Sequence, residues 1–251
     1  MKSGIAAIVL AGGQDELART HHVASKALLP LNGKTMAHSV LNAVKKSPFI
    51  NTITFVGTTN EALSGCFDQA VASGEHLADS LEFGLKASKP FHPDKFFIIT
   101  SDLPWITREA IDDFLVNAPE ADLIYVGISE EAAKTQFPQQ KRTLVKLKEG
   151  RFTGGNVMLL KPDTEKKLIP FINKAYAARK NPLKLAQIVG FKTTLALASG
   201  KLTLKTLETR VSELLHLNVR LYISNFASIG ADIDKLEHLE EAHKYFASSS
   251  S

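Results

Sequence analysis

The chain has 251 residues, 44% of them hydrophobic and 22% charged, so it carries enough apolar surface for a globular core, which excludes a disordered or fibrous protein. Its formal charge of +4 is spread along the chain without interleaved aromatic residues, which argues against a nucleic-acid partner. The single cysteine, Cys66, and the lack of a membrane-length apolar run predict a cytoplasmic protein with no membrane partner.

Strand and helix patterns alternate along the first half of the chain. The apolar run Ile5–Leu10 predicts a strand that is buried on both faces. The elements predicted after it are a helix at 35–46, a strand at 53–56, a helix at 77–85, a strand at 96–100, a helix capped by Thr107 and a strand at 123–128. This alternation predicts an α/β fold, a three-layer α/β/α sandwich with a mostly parallel mixed sheet.

The second half of the chain has a looser pattern. Residues 143–147 alternate like a strand, and Thr153-Gly154-Gly155-Asn156 predicts a glycine turn before a strand at 157–160. Helical spacing dominates from about 164 to 217, and a strand at 219–223 and a helix at 234–245 follow. We interpret residues 1–251 as a single domain in which residues 161–217 form a helical insertion.

The first candidate site follows the first predicted strand. After Leu10 and Ala11, the adjacent glycines Gly12 and Gly13 let backbone N–H groups approach phosphate oxygens, and Lys26 supplies positive charge. The spacing fits neither the dinucleotide-binding fingerprint nor the Walker loop. An ordinary strand-to-loop turn and a solvated surface lysine are the alternative interpretation.

Carboxylates form the second candidate site. Asp102 follows the strand at 96–100, at the sheet edge where open α/β sheets bind ligands, and a carboxylate there can hold Mg²⁺ together with triphosphate oxygens. Asp232 and Asp234 belong to this site only if the sheet brings them beside Asp102. Otherwise Asp102 is a turn residue and Asp234 is a helix N-cap.

A third group of residues could bind the phosphate of a second substrate. Arg142 lies in a basic segment, and Gly155 and Asn156 belong to the predicted glycine turn. A solvated basic loop and a simple turn explain these residues equally well.

In this order and spacing, the motifs resemble the nucleotidyltransferases with a glycosyltransferase-A-like fold, nearest to the molybdenum cofactor guanylyl- and cytidylyltransferase-like group, the MobA-like NTP transferases. The resemblance covers almost the whole chain. It is carried by Ile8-Val9-Leu10-Ala11-Gly12-Gly13, Ser25-Lys26-Ala27-Leu28-Leu29-Pro30, residues 74–85 with Ser80-Leu81 and Gly84-Leu85, Asp102-Leu103-Pro104 and Asp232-Ile233-Asp234.

The resemblance implies a role for each matching residue. The glycine loop, with Leu10, Ala11, Gly12 and Gly13, would bind the triphosphate together with Lys26, and Gly74 and Ser80 would contact the nucleoside. Asp102, Asp232 and Asp234 would hold Mg²⁺, which makes Lys26 and Asp102 the candidate catalytic residues. In the family the loop usually continues with Gly or Ser and then Arg, whereas this chain has Gln14-Asp15-Glu16-Leu17, with Arg19 later.

We therefore expect a Mg²⁺-dependent nucleotidyltransferase that moves a nucleoside monophosphate from a nucleoside triphosphate to a phosphorylated small-molecule acceptor and releases pyrophosphate. Two alternatives stay open: a glycosyltransferase of the same fold that uses a nucleotide sugar, and a catalytically weak nucleotide-binding regulatory protein. The sequence leaves the nucleotide, the acceptor and the oligomeric state undetermined, and it is compatible with a homodimer.

Overall fold

An eight-stranded mixed sheet forms the centre of the protein in the computed structural model, which describes residues 4–12, 16–178, 187–188 and 190–248. The strands are β1 (Ile5–Leu10), β2 (Pro30–Leu31), β3 (Lys34–Thr35), β4 (Ile50–Val56), β5 (Gln69–Val71), β6 (Lys95–Thr100), β7 (Leu123–Ser129), β8 (Val145–Leu147), β9 (Gly150–Leu160) and β10 (Val219–Ser224). β2 and β3 form a separate antiparallel pair. The main sheet has the order β10-β7-β9-β6-β1-β4-β5, with β8 beside β9. β9 is antiparallel to β6, β7 and β8, and the other pairs of the sheet are parallel.

Helices cover both faces of this sheet. They are α1 (Glu16–Thr20), α2 (Met36–Lys46), α3 (Leu77–Ser88), α4 (Arg108–Asn117), α5 (Glu130–Gln136), α6 (Glu165–Ala178), α7 (Phe191–Ala198), α8 (Leu204–Leu215) and α9 (Leu236–Ser248). α2 and α4 pack in the core on one face, and α3, α6 and α8 pack on the other. The predicted three-layer α/β/α sandwich with a mostly parallel mixed sheet is therefore confirmed. No helix within the described part of the chain is long and apolar enough to cross a membrane.

The first strand shows how the sequence directs this layering. All six residues of β1 are buried, as the continuous apolar run predicts. Because successive side chains point to opposite faces, Ala7 and Val9 enter the core under α2 and α4, whereas Ala6 and Ile8 enter the core under α3. A Cβ atom at Gly84 would lie 2.5 Å from Ile8 Cγ2, so this glycine lets α3 pack directly on β1.

The predicted glycine turn at residues 153–156 is wrong. These residues lie inside β9, which runs without interruption from Gly150 to Leu160. A Cβ atom at Gly154 would lie 2.6 Å from Tyr125 Oη, and one at Gly155 would lie 2.4 Å from Val126 Cγ1. The two glycines therefore allow β7 side chains to approach the backbone of β9, and they do not reverse the chain.

The region predicted as a helical insertion contains α6, α7 and α8. α8 lies at the end of this region, and its last residue, Leu215, is buried against the sheet. Residues 179–186 and 189 of this region lie outside the described residues. In the first half, the predicted elements did not include the short helix α1. The interpretation of residues 161–217 as an acceptor-side insertion stays a prediction.

Candidate functional site

The carboxyl ends of β1 and β6 lie side by side and open onto a cavity of about 420 Å³. The Ser101 backbone N–H donates to the Leu10 carbonyl at 2.9 Å, so the segments that follow the two strands leave the sheet together. We call this space the first cavity. Its lining residues come from five segments of the chain: Leu10, Ala11, Gly12, Lys26, Ala27, Gly74, Glu75, His76, Leu77, Ser80, Thr100, Ser101, Asp102 and Tyr176.

The glycines of the first cavity bring two loops into close contact. A Cβ atom at Gly12 would lie 2.4 Å from Ser73 Cβ, and one at Gly74 would lie 2.2 Å from Asp79 Cβ. The Gly74 N–H donates to Ser80 Oγ at 3.0 Å, which fixes the loop to the first turn of α3. The described residues predicted to bind the nucleotide therefore all line one cavity, and Gly13 lies outside the described residues.

Lys26 joins two of the predicted carboxylates. Its Nζ lies 2.7 Å from Asp102 Oδ2 and 2.9 Å from Asp234 Oδ1. The Lys26 and Asp102 side chains are only 15% and 14% exposed, so water screens this pair weakly. Burial alone would lower the pKa of Lys26, but the two carboxylates outweigh it and raise that pKa, so the ammonium stays charged.

Asp232 completes a cluster of three carboxylates, which we call the acid cluster. Oxygens of Asp102, Asp232 and Asp234 lie within 4.8 Å of one another. The Ile233 N–H donates to the Asp102 carbonyl at 3.0 Å, and this backbone bond holds the two acidic segments together. Burial, with the charges of Asp234 and Asp102, raises the pKa of Asp232 to about 7. The cluster can bind a metal ion, because a cation would relieve this crowding of negative charge.

Hydrogen bonds from β6 and β9 orient Asp102. Thr100 Oγ1 donates to Asp102 Oδ1 at 2.6 Å, and Asn156 Nδ2 donates to Thr100 Oγ1 at 3.4 Å. Asn156, predicted to contact the acceptor, is thus connected to the acid cluster through Thr100. Neither Thr100 nor its link to Asn156 follows from any pattern in the sequence.

A second cavity, of about 260 Å³, lies on the other side of the acid cluster. It is lined by polar and charged residues: Gln140, Lys141, Arg142, Thr143, Thr153, Gly154, Asp232, Asp234 and His238. Arg142 donates through Nη1 to the Gly230 carbonyl and through Nη2 to Gln140 Oε1 at 2.7 Å. Asp102 lines the first cavity and the other two carboxylates line the second, so the acid cluster separates the two spaces.

Gly155, also predicted to bind the acceptor, faces away from the second cavity. It is buried, and its carbonyl accepts a hydrogen bond from Tyr125 Oη at 2.8 Å. Gly154 and Thr153, which precede it on β9, line the cavity instead.

A third cavity, of about 350 Å³, lies between α6, α8 and the sheet. Apart from Glu208, its lining side chains are apolar or aromatic, and Glu208 accepts a hydrogen bond from the Leu221 N–H at 2.8 Å. Phosphate chemistry needs cationic groups or a metal site, so this cavity is unsuited to it.

Comparison with known proteins identifies the family. Residues 7–198 match the family model of the MobA-like NTP transferase domain. The chain belongs to the MobA-like NTP transferase family. The resemblance carried by the motifs is thereby confirmed, and the protein is a nucleotidyltransferase. Membership of this family argues against the alternative of a glycosyltransferase with the same fold.

Several solved structures share the fold of this chain. A hypothetical transferase from Thermus thermophilus is 34% identical, with a TM-score of 0.85, and the match covers 93% of this chain and 98% of that one. CMP:2-keto-3-deoxy-manno-octonic acid synthetase complexed with CTP shares the fold at 13% identity and a TM-score of 0.60, over 98% and 99% of the two chains. The 2-C-methyl-D-erythritol 4-phosphate cytidylyltransferase of Francisella tularensis shares it at 16% identity and a TM-score of 0.59, over 96% and 99%. A search of curated proteins gave no match.

Proposed function

We propose that this MobA-like NTP transferase transfers a nucleoside monophosphate from a nucleoside triphosphate to a phosphorylated small molecule, with Mg²⁺ as its cofactor. The observation that carries the proposal is the acid cluster of Asp102, Asp232 and Asp234, which contributes lining to one cavity on each side. Two substrates bound in these two cavities would meet at the carboxylates.

The first cavity suits the nucleoside triphosphate. Gly12 lines this cavity, and because it has no side chain a phosphate can approach its backbone. Lys26 supplies a positive charge, and the two carboxylates that pair with this lysine keep it protonated. Leu10, Ala11, Gly12 and Lys26 would contact the phosphates, and Gly74 and Ser80 would contact the nucleoside. Gly13 is assigned to the same group by the motif alone.

The acid cluster suits Mg²⁺. All of its donors are carboxylate oxygens, the type of ligand that this ion prefers, and few carboxylates leave room for phosphate oxygens. Asp102, Asp232 and Asp234 would hold the ion, and when bound it would neutralise charge on the phosphates. The raised pKa of Asp232, caused first by burial and then by its carboxylate neighbours, supports this fit, because a bound cation would favour the ionised form of this carboxylate.

The proposed reaction is an in-line displacement at the α-phosphorus. An acceptor phosphate oxygen forms a bond to this phosphorus, the bond from it to the oxygen that bridges to the β-phosphorus breaks, and pyrophosphate leaves with the electron pair. The acceptor phosphate is already ionised, so no general base is required. Lys26 would stabilise the charge that develops on the α-phosphoryl oxygens, and Asp102 would position the metal-bound phosphates.

The second cavity suits the phosphorylated acceptor. Arg142 keeps its positive charge there, since arginine is not deprotonated in proteins, and its fork of donors matches a phosphate. Asn156 lies on β9, the strand that also carries the lining residues Thr153 and Gly154, and would contact the acceptor from there. Gly155 is assigned to the acceptor by the sequence pattern alone. The Francisella neighbour is named for a phosphorylated acceptor, so a protein of this fold can take this class of substrate. The helical region 161–217 is the proposed acceptor-side insertion.

Melting-temperature shifts test the nucleotide site. Wild-type protein is heated with ATP, GTP, CTP, UTP or dTTP, with and without Mg²⁺, beside Asp102→Asn, Lys26→Ala and the control Asp163→Asn, whose carboxylate is 68% exposed and pairs with Lys166. We expect a Mg²⁺-dependent rise for one nucleotide, about 2.7 kcal/mol of stabilisation at a concentration of 100 Kd, in the wild type and the control. Asp102→Asn and Lys26→Ala should lose most of it.

Pyrophosphate release then tests the transfer. Phosphorylated sugars, polyols and pterins are offered as acceptors with the nucleotide that binds. Release that depends on both the acceptor and Mg²⁺ is the expected result. Tight nucleotide binding without release for any acceptor would instead indicate the catalytically weak nucleotide-binding protein. The cytoplasmic location and the homodimer stay predictions.

A further inference from the structure

An aromatic pair lines the first cavity beside the loop that precedes α3. Tyr176 lies near the C-terminal end of α6, and His76 is the N-cap residue of α3. Their ring centroids are 5.8 Å apart and their planes are inclined by 37°. Tyr176 is 45% exposed and His76 is also exposed, so both rings present surface to a molecule that enters the cavity.

The order of the strands separates this pair from the acid cluster. Asp102 follows β6, whereas His76 follows β5 and begins the helix that packs on β1 and β4. Neighbouring strands lie about 4.8 Å apart, so β6 and β4 are separated by about 10 Å along the sheet edge. A nucleotide whose phosphates lie at Lys26 and Asp102 would therefore direct its nucleoside towards α3.

Charge supports the same orientation. Lys26 and Asp102 lie at the β6 side, where a metal-bound triphosphate would be neutralised. Beside His76, the cavity is lined by Glu75, an anion that would repel phosphate. An uncharged part of the ligand therefore fits the end of the cavity beside His76 better than a phosphate does. Aromatic rings are the surfaces on which a nucleobase stacks.

We propose that the Tyr176 ring, together with His76, forms the surface against which the nucleobase of the bound triphosphate stacks. The inference rests on the proposed function and adds a nucleoside-binding residue from α6 to it. Stacking accepts the face of any base, so Tyr176 contributes affinity for the nucleoside while leaving the choice of base to other contacts. Removing the ring should weaken nucleotide binding by about 10- to 100-fold.

The test compares a complete nucleotide with its phosphate chain alone. Titration calorimetry gives the Kd of the preferred Mg²⁺-nucleoside triphosphate and of Mg²⁺-tripolyphosphate for the wild type, Tyr176→Ala, Tyr176→Phe and Phe83→Ala. Phe83 is the matched control, because it is also 45% exposed, lies on α3 and is not among the lining residues. His76 is left unchanged because it caps α3.

We expect the Kd of only one of the two ligands to change. Tyr176→Ala should raise the Kd of the nucleotide by about 10- to 100-fold. The Kd of tripolyphosphate should stay within about 2-fold, as should both constants for Phe83→Ala. Tyr176→Phe keeps an aromatic ring and should bind the nucleotide nearly as well as the wild type.

Three outcomes would overturn the inference alone: unchanged nucleotide binding by Tyr176→Ala, equal weakening of both ligands, or a loss in Tyr176→Phe as large as that in Tyr176→Ala. Equal weakening would mean that Tyr176 only packs α6 against α3. Failure of the wild type to bind any nucleoside triphosphate would overturn the proposed function as well, so the two failures are distinguishable.

Discussion

The two cavities beside the acid cluster are assembled in different ways. The first takes most of its walls from loops that directly follow β1 and β6 or directly precede α3, and each loop has a recognisable local motif. The second combines residues 140–143, which precede β8, with two residues of β9 and with the acidic segment before α9. Its walls meet only because β9 runs antiparallel between β6 and β7.

This difference separates the chemistry of the two sides. Under the proposed function, the first cavity would bind the nucleotide through backbone N–H groups and Lys26. The second relies on side chains such as Arg142 and His238, which can be exchanged without changing the fold. We therefore expect substitutions in the two cavities to affect different substrates.

The largest effect should come from Asp102, which lines the first cavity and belongs to the acid cluster. Asp102→Asn removes the charge and keeps the shape, so binding of the metal and of the phosphates should weaken together. We expect kcat/KM to fall by about 100-fold or more, as when one electrostatic contact to a transition state is lost. Steady-state pyrophosphate release measures it, and turnover within a few-fold of wild type would contradict the assigned role.

A substitution in the second cavity should affect the acceptor and leave nucleotide binding unchanged. Arg142→Ala should raise the KM of the acceptor by about 10- to 100-fold, because a charge-assisted hydrogen bond to the acceptor phosphate is lost. The nucleotide Kd should stay unchanged. Arg151→Ala is the control, because Arg151 is 54% exposed and pairs only loosely with Glu130, at 3.5 Å. Since Arg142 also holds the Gly230 carbonyl, equal losses for both substrates would point to a displaced acid cluster.

A substitution in the first cavity should weaken nucleotide binding and leave the acceptor KM nearly unchanged. An alanine at Gly12 would push its Cβ against Ser73 Cβ and move apart the two loops that line the first cavity. We expect the nucleotide Kd to rise by about 10-fold, which is equivalent to the loss of one hydrogen bond to a charged group. The acceptor KM should change little. A larger change for the acceptor than for the nucleotide would break the proposed division between the cavities.

The smallest effect on turnover should come from Gly155. An alanine there would bring its Cβ within 2.4 Å of Val126 Cγ1, in a fully buried part of the core. Overpacking of this kind costs about 1–3 kcal/mol, which lowers Tm by several degrees in a chain of this length. Thermal denaturation measures the loss. If Gly155→Ala kept its Tm but lost acceptor binding, Gly155 would be a direct binding residue after all.

Much of the fold was predictable from local patterns. The apolar run of β1, the helical spacing of α2 and the cap of α4, where the Thr107 hydroxyl accepts from the Ala110 N–H, all follow from short-range rules. The error at Gly154 and Gly155 has a clear cause. Glycine pairs are typical of turns, and only the packing of Tyr125 and Val126 shows that these two permit close contact within a strand.

Some residues of the candidate site could likewise be identified from local patterns, and others could not. Lys26 and Asp102 could be identified because each stands at a fixed position after a predicted strand or loop. Thr100, His76 and Tyr176 could not, because their importance depends on which elements lie beside them. Tyr176 in particular belongs to a helix whose sequence gives no sign that it reaches the first cavity.

Short-range patterns indicate the layered α/β fold and single out the glycine loop, Lys26 and the carboxylates as candidates, because strand periodicity and residue chemistry act over short stretches of chain. The contact of Asp232 and Asp234 with Asp102 is visible only in the folded protein. That contact spans more than half of the chain and depends on the Ile233 to Asp102 backbone bond and on the ion pairs of Lys26 with Asp102 and Asp234. Strand pairing and long-range charge pairing set such contacts, and neither leaves a local pattern.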